Sequence, residues 1–430
     1  MSAEYSDRYR RYVLGLLFTV YVVNFVDRQV VSILMESIKL EFSLTDTQLG
    51  IISGLAFAIF NATMGIFIGR LADRWVRRSI IAIALAVWSG MTAACGLANS
   101  YFTLVLARIG VGIGEAGAGP PAHSLIADYF PPSKRAAALA VYTSGINIGI
   151  LIALLVGGWV NQYFGWRAAF IVVGAPGLIL AVVVRLTLKE PPRGLSENID
   201  HQASPEIGFV ESIRHLFSIP SFRQTCFGDA MFSVLLYGAL NWMAVHFIRL
   251  HGMETGVLGT ALALIFGIAG FIGTFGSGFL SDYLVKRSGD PSWHLRFSGI
   301  VAVLSLPFFI GVFMFSNTTL ALAMVVGAWL FGSAWLGPVY SVIQGVAGIQ
   351  SRALAAALAH FFVNLIGLGL GPLIVGMLSD YFSAQYGDQS ISYAMLILIV
   401  VAGPWGALHF FLGARTVRDD MEQAQEASSS

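Results

Sequence analysis

Four ionisable residues stand inside otherwise apolar stretches: Asp27 and Arg28 as neighbours, then Arg108 and Glu115 seven residues apart. A charge at the centre of a bilayer costs at least ~3 kcal/mol on insertion scales, so such groups normally face a cavity and pair with one another. Seven residues are two helical turns, which puts Arg108 and Glu115 on one helix face about 10 Å apart along the axis. They do not easily bridge each other, but each can reach a partner on another helix. Burial favours the neutral form of a carboxyl, and a nearby guanidinium favours its ionised form. One arginine beside one acid and facing another is therefore suited to moving a proton. If Arg28 shifts between Asp27 and Glu115, proton affinity alternates with conformation. The competing reading is a static ion-pair network.

The elements that must position these groups are helical and membrane-bound. Of 430 residues, 56% are hydrophobic and 11% charged, with a mean hydropathy of +0.74. A soluble chain carries roughly a quarter charged residues. A bilayer core needs about 20 apolar residues per helix, and the chain offers twelve such stretches. The first six run near Tyr12–Met35, Gln48–Ile68, Ile80–Ala98, Phe102–Ala127, Ala136–Val160 and Ala168–Leu188. The second six run near Phe222–Phe247, Val257–Leu280, Leu295–Phe315, Leu320–Ile343, Ala353–Leu378 and Tyr393–Leu412. The first is too long for a signal peptide and reads as a retained helix. The expected fold is an all-α membrane protein with twelve transmembrane helices in two six-helix halves. The halves are residues 1–188 and 221–414, followed by a tail over 415–430. Residues 189–220 form a polar linker whose segment near Ile207–Phe217 sets Ile207, Val210, Ile213, Leu216 and Phe217 on one apolar stripe. Such a stripe suits a helix lying on the membrane surface.

A net charge of +1 leaves no footprint for nucleic acid. Cys95 and Cys226 offer neither a disulfide framework nor metal-ligand spacing. No nucleophile elbow or phosphate-cradling loop occurs, so neither an enzyme nor a cofactor is expected. With a cytoplasmic N-terminus, twenty Lys and Arg fall on the inside against three outside, Lys39, Arg167 and Arg249. That bias places both termini in the cytoplasm.

The halves repeat each other. Gly69-Arg70-Leu71-Ala72-Asp73-Arg74-Trp75-Val76-Arg77-Arg78 aligns with Gly278-Phe279-Leu280-Ser281-Asp282-Tyr283-Leu284-Val285-Lys286-Arg287 at an offset of 209. Pro121, Ser124, Arg135 and Asn147 align with Pro338, Ser341, Arg352 and Asn364 at 217. A six-plus-six repeat is the architecture of a rocking carrier. The repeat breaks at every membrane charge: Asp27 faces Leu236, Arg28 Tyr237, Arg108 Val325 and Glu115 Gly332. Helix packing does not demand those charges, so the first half reads as the coupling half. The ten-residue repeat resembles the cytoplasmic signature of the major facilitator superfamily, with Val76 and Val285 where a second Gly is usual. The resemblance implies a gate built from Gly69, Asp73, Arg77, Arg78, Asp282, Lys286 and Arg287, with both aspartates at helix ends.

Asn24-Phe25-Val26-Asp27-Arg28, with Arg108-Ile109-Gly110-Val111-Gly112-Ile113-Gly114-Glu115-Ala116, resembles the spinster family, as does Ile126-Ala127-Asp128-Tyr129-Phe130. The organic anion/cation symporter family has a related Asn-aromatic-x-Asp-Arg. The spinster resemblance implies proton-coupled export of lysophospholipids or sphingosine phosphate, with Asp27 as protonation site and Arg28 with Glu115 as switching pair. A symporter of sugar acids is the alternative. Either substrate needs a cation for its head group, from Arg28 or Arg108, and an amphiphile also needs an apolar wall. Tyr142, Asn147, Tyr237, Asn241, Trp335, His360 and Asn364 are the further candidates for substrate contact. The expected partners are a proton, a small amphiphile or organic anion, and the lipid of a cell (inner) membrane, with the protein a monomer.

Overall fold

The computed structural model describes residues 5–195 and 209–429, the side chains of a few helical residues such as Asp73 excepted. Regular structure among the described residues is helical throughout. In chain order the helices begin with α1 (Asp7–Phe42), α2 (Asp46–Gly50), α3 (Ala56–Arg74) and α4 (Arg77–Cys95). They continue with α5 (Tyr101–Glu115), α6 (Gly119–Tyr129), α7 (Pro132–Thr187), α8 (Phe209–Ser218), α9 (Pro220–His251) and α10 (Thr255–Ser288). The rest are α11 (Trp293–Met314), α12 (Thr318–Gly332), α13 (Leu336–Val346), α14 (Gly348–Phe362), α15 (Gly369–Tyr386), α16 (Ser390–Gly413) and α17 (Val417–Ser429).

Among the described residues, ten helical stretches are long and apolar enough to cross a membrane. Two of them, Pro132–Thr187 with 56 residues and Leu354–Gly413 with 60, are each more than twice the length a bilayer needs. The first is broken at Gly165, where φ of 83° and ψ of 165° lie outside any helix. The second is broken at Gly387, with φ of 53°. Divided there, the ten become the twelve crossings that the hydropathy pattern predicts. The helices outrun the apolar windows because their ends are polar. Ser6 caps α1 by accepting the Tyr9 N–H, and Ser43, in the left-handed region, sends its own N–H to the Lys39 carbonyl.

Contacts divide the chain into two compact units. One comprises Met1–Leu44, Ile51–Ser204 and Met253–Ala263; the other comprises Thr45–Gly50, Pro205–Gly252 and Leu264–Ser430. Each takes in one short segment, 45–50 or 253–263, from the opposite side of the linker. Residues 196–208, including Ile207 of the expected amphipathic stripe, lie outside the described residues. Within α8, Leu216 is buried and Ile213 and Phe217 are half-buried, while Val210 is exposed.

The internal repeat extends to helix defects. Residues Ala116–Ala118 interrupt the fourth span between α5 and α6, and Ser333–Trp335 interrupt the tenth between α12 and α13, at the same offset of 217. In the fourth span the interruption immediately precedes Pro120 and Pro121, and the turn is tightened by Gly117 and Ala118 N–H groups bonding three residues back. Two further defects are π-helices, Ile51–Leu55 between α2 and α3 and Val363–Leu368 between α14 and α15. Single π turns re-aim backbone carbonyls and are frequent at functional sites.

The glycines of α5 set the helix spacing around the charges. A Cβ on Gly112 would lie 2.6 Å from the Phe57 carbonyl oxygen, and one on Gly114 would lie 2.6 Å from the Trp88 amide nitrogen. Both obstacles are backbone, so α3 and α4 themselves would have to move. Gly114→Ala is expected to cost about 1–3 kcal/mol by overpacking. Gly69→Ala, with nothing within 4 Å of its Cβ, should leave stability unchanged or slightly raised. Thermal unfolding of the two variants in detergent checks the contrast, and equal melting points would contradict it.

Candidate functional site

All four predicted membrane charges meet inside the first unit. Arg28 is 11% exposed at its side chain and Glu115 is 0% exposed. The Arg28 Nε and Nη2 approach Glu115 Oε2 at 2.8 and 2.7 Å. Arg28 also donates to Asn24 Oδ1 one turn earlier, at 3.4 Å. Asp27, wholly buried, makes no ion pair among the described residues; its Oδ2 accepts from the Ser89 hydroxyl at 2.9 Å and its Oδ1 has no donor. Gly177 of α7 leaves room for the Ser89 hydroxyl, since a Cβ there would lie 2.0 Å from it.

Arg108 is wholly buried and bonds to backbone rather than to an acid. Its nitrogens approach the carbonyls of Ile52, Asp27 and Arg28 at 3.3, 3.4 and 3.5 Å. Ile52 belongs to the π-helix Ile51–Leu55, so this defect supplies an acceptor to the guanidinium. Phe57 lies beneath both arginines, with guanidinium carbons 5.0 Å (Arg28) and 5.4 Å (Arg108) from its ring centre. The ring's negative face offsets some of the repulsion between the two cations. The arrangement can hold one acid ionised through Arg28 while the neighbouring acid stays outside that pair.

The substrate candidates are distributed over both units. In the first, Tyr142 is buried and stacked on Tyr21 with centroids 4.3 Å apart, within reach of the Arg28 charge, and Asn147 is half-buried. In the second, the half-buried Tyr237 accepts at its carbonyl from the buried Asn241 at 2.9 Å. Trp335 is buried against Phe232 and Phe410, and its indole N–H has no acceptor. His360 is exposed on α14, and Asn364 is buried within the second π-helix.

The two copies of the ten-residue repeat are used differently. Arg77 is 1% exposed and donates to Glu190 Oε1 at 2.7 Å, to Ser124 Oγ at 2.8 Å, to the Pro191 carbonyl at 3.0 Å and to Asp128. Arg78 bonds through its backbone N–H to Glu190 Oε2 at 3.0 Å. Asp282, Lys286 and Arg287 are exposed, with Asp282 near His294. Gly69 is half-buried, and the side chain of Asp73 lies outside the described residues.

Several partners escape sequence reading. Ser89 and Glu190 carried no signal beyond their type, and Asp128 only its place in the spinster-like run Ile126-Ala127-Asp128-Tyr129-Phe130. A charge knot in the second unit was missed as well. Arg249 clasps Asp46 through both nitrogens at 2.8 and 2.7 Å, and Ser379 adds a third bond to Asp46 at 2.6 Å. Asp380 then accepts the Asp46 and Thr47 N–H groups at the start of α2, at 2.9 and 2.8 Å. Counted for topology, Arg249 is only an outside charge; in the fold it is 7% exposed at its side chain.

The geometry matches known carriers. Residues 17–368 fit the Major Facilitator Superfamily model. The chain is 34% identical over 99% of its length, and 98% of the other's, to an MFS-type efflux pump of Mycolicibacterium smegmatis. It is 28% identical to the hexuronate transporter of Bacillus subtilis over 86% of this chain and 87% of that one. It is 25% identical to protein spinster homolog 1 of Xenopus laevis over 96% of this chain and 82% of that one. Among solved structures, a bacterial homolog of the human lysosomal transporter spinster, inward-facing and unoccupied, superposes with a TM-score of 0.87 at 32% identity. That match covers 97% of this chain and 99% of the other. The chain belongs to the Major Facilitator Superfamily, as a spinster-like, multi-pass membrane transporter and not an enzyme.

Proposed function

We propose that this transporter is a proton-coupled, alternating-access carrier of a lipid-like amphiphile such as a lysophospholipid or sphingoid phosphate. In this reading Asp27 is the protonation site and Arg28 switches between Asp27 and Glu115. The observation that carries it is the unequal treatment of the two acids. Glu115 holds Arg28 in a buried pair, while Asp27 makes no ion pair among the described residues and accepts from the Ser89 hydroxyl. A buried carboxylate without a cation is costly, so in this conformation Asp27 carries the proton. Arg28 and Arg108 against Glu115 then leave one uncompensated positive charge, which an anionic head group can neutralise. Loss of the proton makes Asp27 a competitor for Arg28, weakening both the Glu115 pair and the hold on an anion.

Similarity to spinster proteins supports the amphiphile, as do the apolar surroundings of Trp335 in the tenth span. The twenty-to-three charge bias supports cytoplasmic termini in a cell membrane. Similarity to the hexuronate transporter favours one second reading, a proton-coupled symporter of sugar acids, in which the same surplus charge holds a carboxylate. Competition in proteoliposomes separates the two. A lysophospholipid or sphingoid phosphate is expected to shift the tryptophan fluorescence of the purified protein at micromolar levels, with glucuronate inert at a thousandfold excess. Glucuronate uptake driven by a pH gradient, with no response to the amphiphiles, would reverse the assignment.

A further inference from the structure

A second acid is buried without a partner, in the other unit and far along the chain from the first four. Asp229 of α9 is 0% exposed, and neither carboxylate oxygen has a hydrogen-bond donor among the described residues. One turn earlier on the same helix, the Thr225 hydroxyl is buried and also unpartnered. The π-helix Val363–Leu368 packs against this stretch of α9. A Cβ on Gly367 would lie 2.5 Å from Ser233 Cβ, and one on Gly371 would lie 2.6 Å from the Val234 carbonyl oxygen. The two helices therefore run in the same sense, and one turn back along both brings Asn364 and Asp229 to the same level. The Asn364 Oδ1 is buried and without a donor too. Asp229 is therefore a carboxyl buried with no donor among the described residues, a costly state when ionised, and a proton on it removes the charge.

Among the described residues no cation pairs with Asp229; Arg223 of α9, Arg214 of α8 and Arg352 of α14 are exposed. On α9, Cys226 is the titratable side chain that feels the Asp229 charge. On α16, His409 is engaged with Gln224 at 2.5 Å. On α17, Asp420 accepts the Ser221 N–H at 2.9 Å. His360 of α14 is exposed, and His294 of α11 lies by Asp282. The segments Val363–Leu368 and α12 contain no ionisable residue. The internal repeat offers no architectural reason for the acid, because Asp229 aligns with Val20 at the offset of 209.

We propose that Asp229 is a second proton-binding site of the transport cycle, housed in the opposite unit from Asp27 and loaded in this conformation. The idea rests on the proton-coupled reading above but is tested separately from it. Dicyclohexylcarbodiimide reacts with protonated carboxyls in apolar surroundings, so the wild-type protein in nanodiscs is labelled at neutral pH and the modified peptide identified by mass spectrometry. Label on Asp229 is expected, fading only in alkaline buffer and unaffected by sodium ions. An unlabelled Asp229, or protection by sodium at constant pH, overturns the proposal, the latter in favour of a sodium site. In proteoliposomes held at the alkaline pH where the label fades, the transport rate of the wild type should rise with nearly the square of proton concentration, and that of Asp229→Asn with the first power. An unchanged order in a folded Asp229→Asn, confirmed with Asp229→Glu, overturns the coupling. Should wild-type flux ignore protons altogether while Asp229 is labelled, the Asp27 switch fails and the second site's role in transport fails with it; its proton does not.

Discussion

Asp27→Asn should abolish accumulation driven by a pH gradient in proteoliposomes, by about a hundredfold or about 2.7 kcal/mol in the driven step. Exchange of substrate for substrate across the same bilayer should continue. The substitution is nearly isosteric, and an asparagine carbonyl can still accept from Ser89, so the packing around the site is retained. What disappears is the ability to ionise and compete for Arg28. Paired measurements of driven flux and exchange distinguish a coupling residue from a structural one, since structural damage lowers both. Undiminished proton-driven flux in the variant would remove Asp27 from the mechanism.

Arg28→Ala is the second large effect, and it acts through what it leaves behind. Glu115 would be buried with no cation on its carboxylate, and breaking a buried pair by removing one partner costs about 3–5 kcal/mol. Adding Glu115→Gln removes the stranded charge, so the double variant should melt higher than Arg28→Ala alone. Both should transport at background level. A double-mutant cycle on melting temperature, alongside flux, measures the coupling directly. If the double variant were less stable than the single, the stabilising role of the pair would be refuted.

The spans, the repeat and the four membrane charges were legible because each rests on a local cost. Apolar length is set by bilayer thickness, and an ionised side chain in that length is conspicuous whatever it touches. Partnership is not local. That Asp27 would meet Ser89 depends on α1, α4 and α7 meeting where Gly177 leaves room for the hydroxyl. The matched decapeptides predicted a gate drawing on both Arg77 and Lys286, yet among the described residues Arg77 pairs with Asp128 and Glu190 while Lys286 is exposed. Asp128 aligns with Gly345 at the offset of 217, a difference visible in the sequence but without meaning until Arg77 is placed. The break in the fourth span lies beside Pro120 and Pro121, residues that disfavour a continuous helix by their type, whereas no residue type encodes the π turns. Asp46 and Arg249 lie 203 positions apart, and no periodicity connects them.

Arg108 spends its hydrogen bonds on main-chain oxygens of the first span and of the π turn in the second. Main chain, unlike a side chain, has no rotamers with which to absorb a displacement. Whatever play exists between the first, second and fourth spans at this point therefore resides in the Arg108 side chain, whose contacts of 3.3 to 3.5 Å are long. The arginine acts as a tether between three main chains, and a change in the first span beside Arg28 is felt at its other two anchor points.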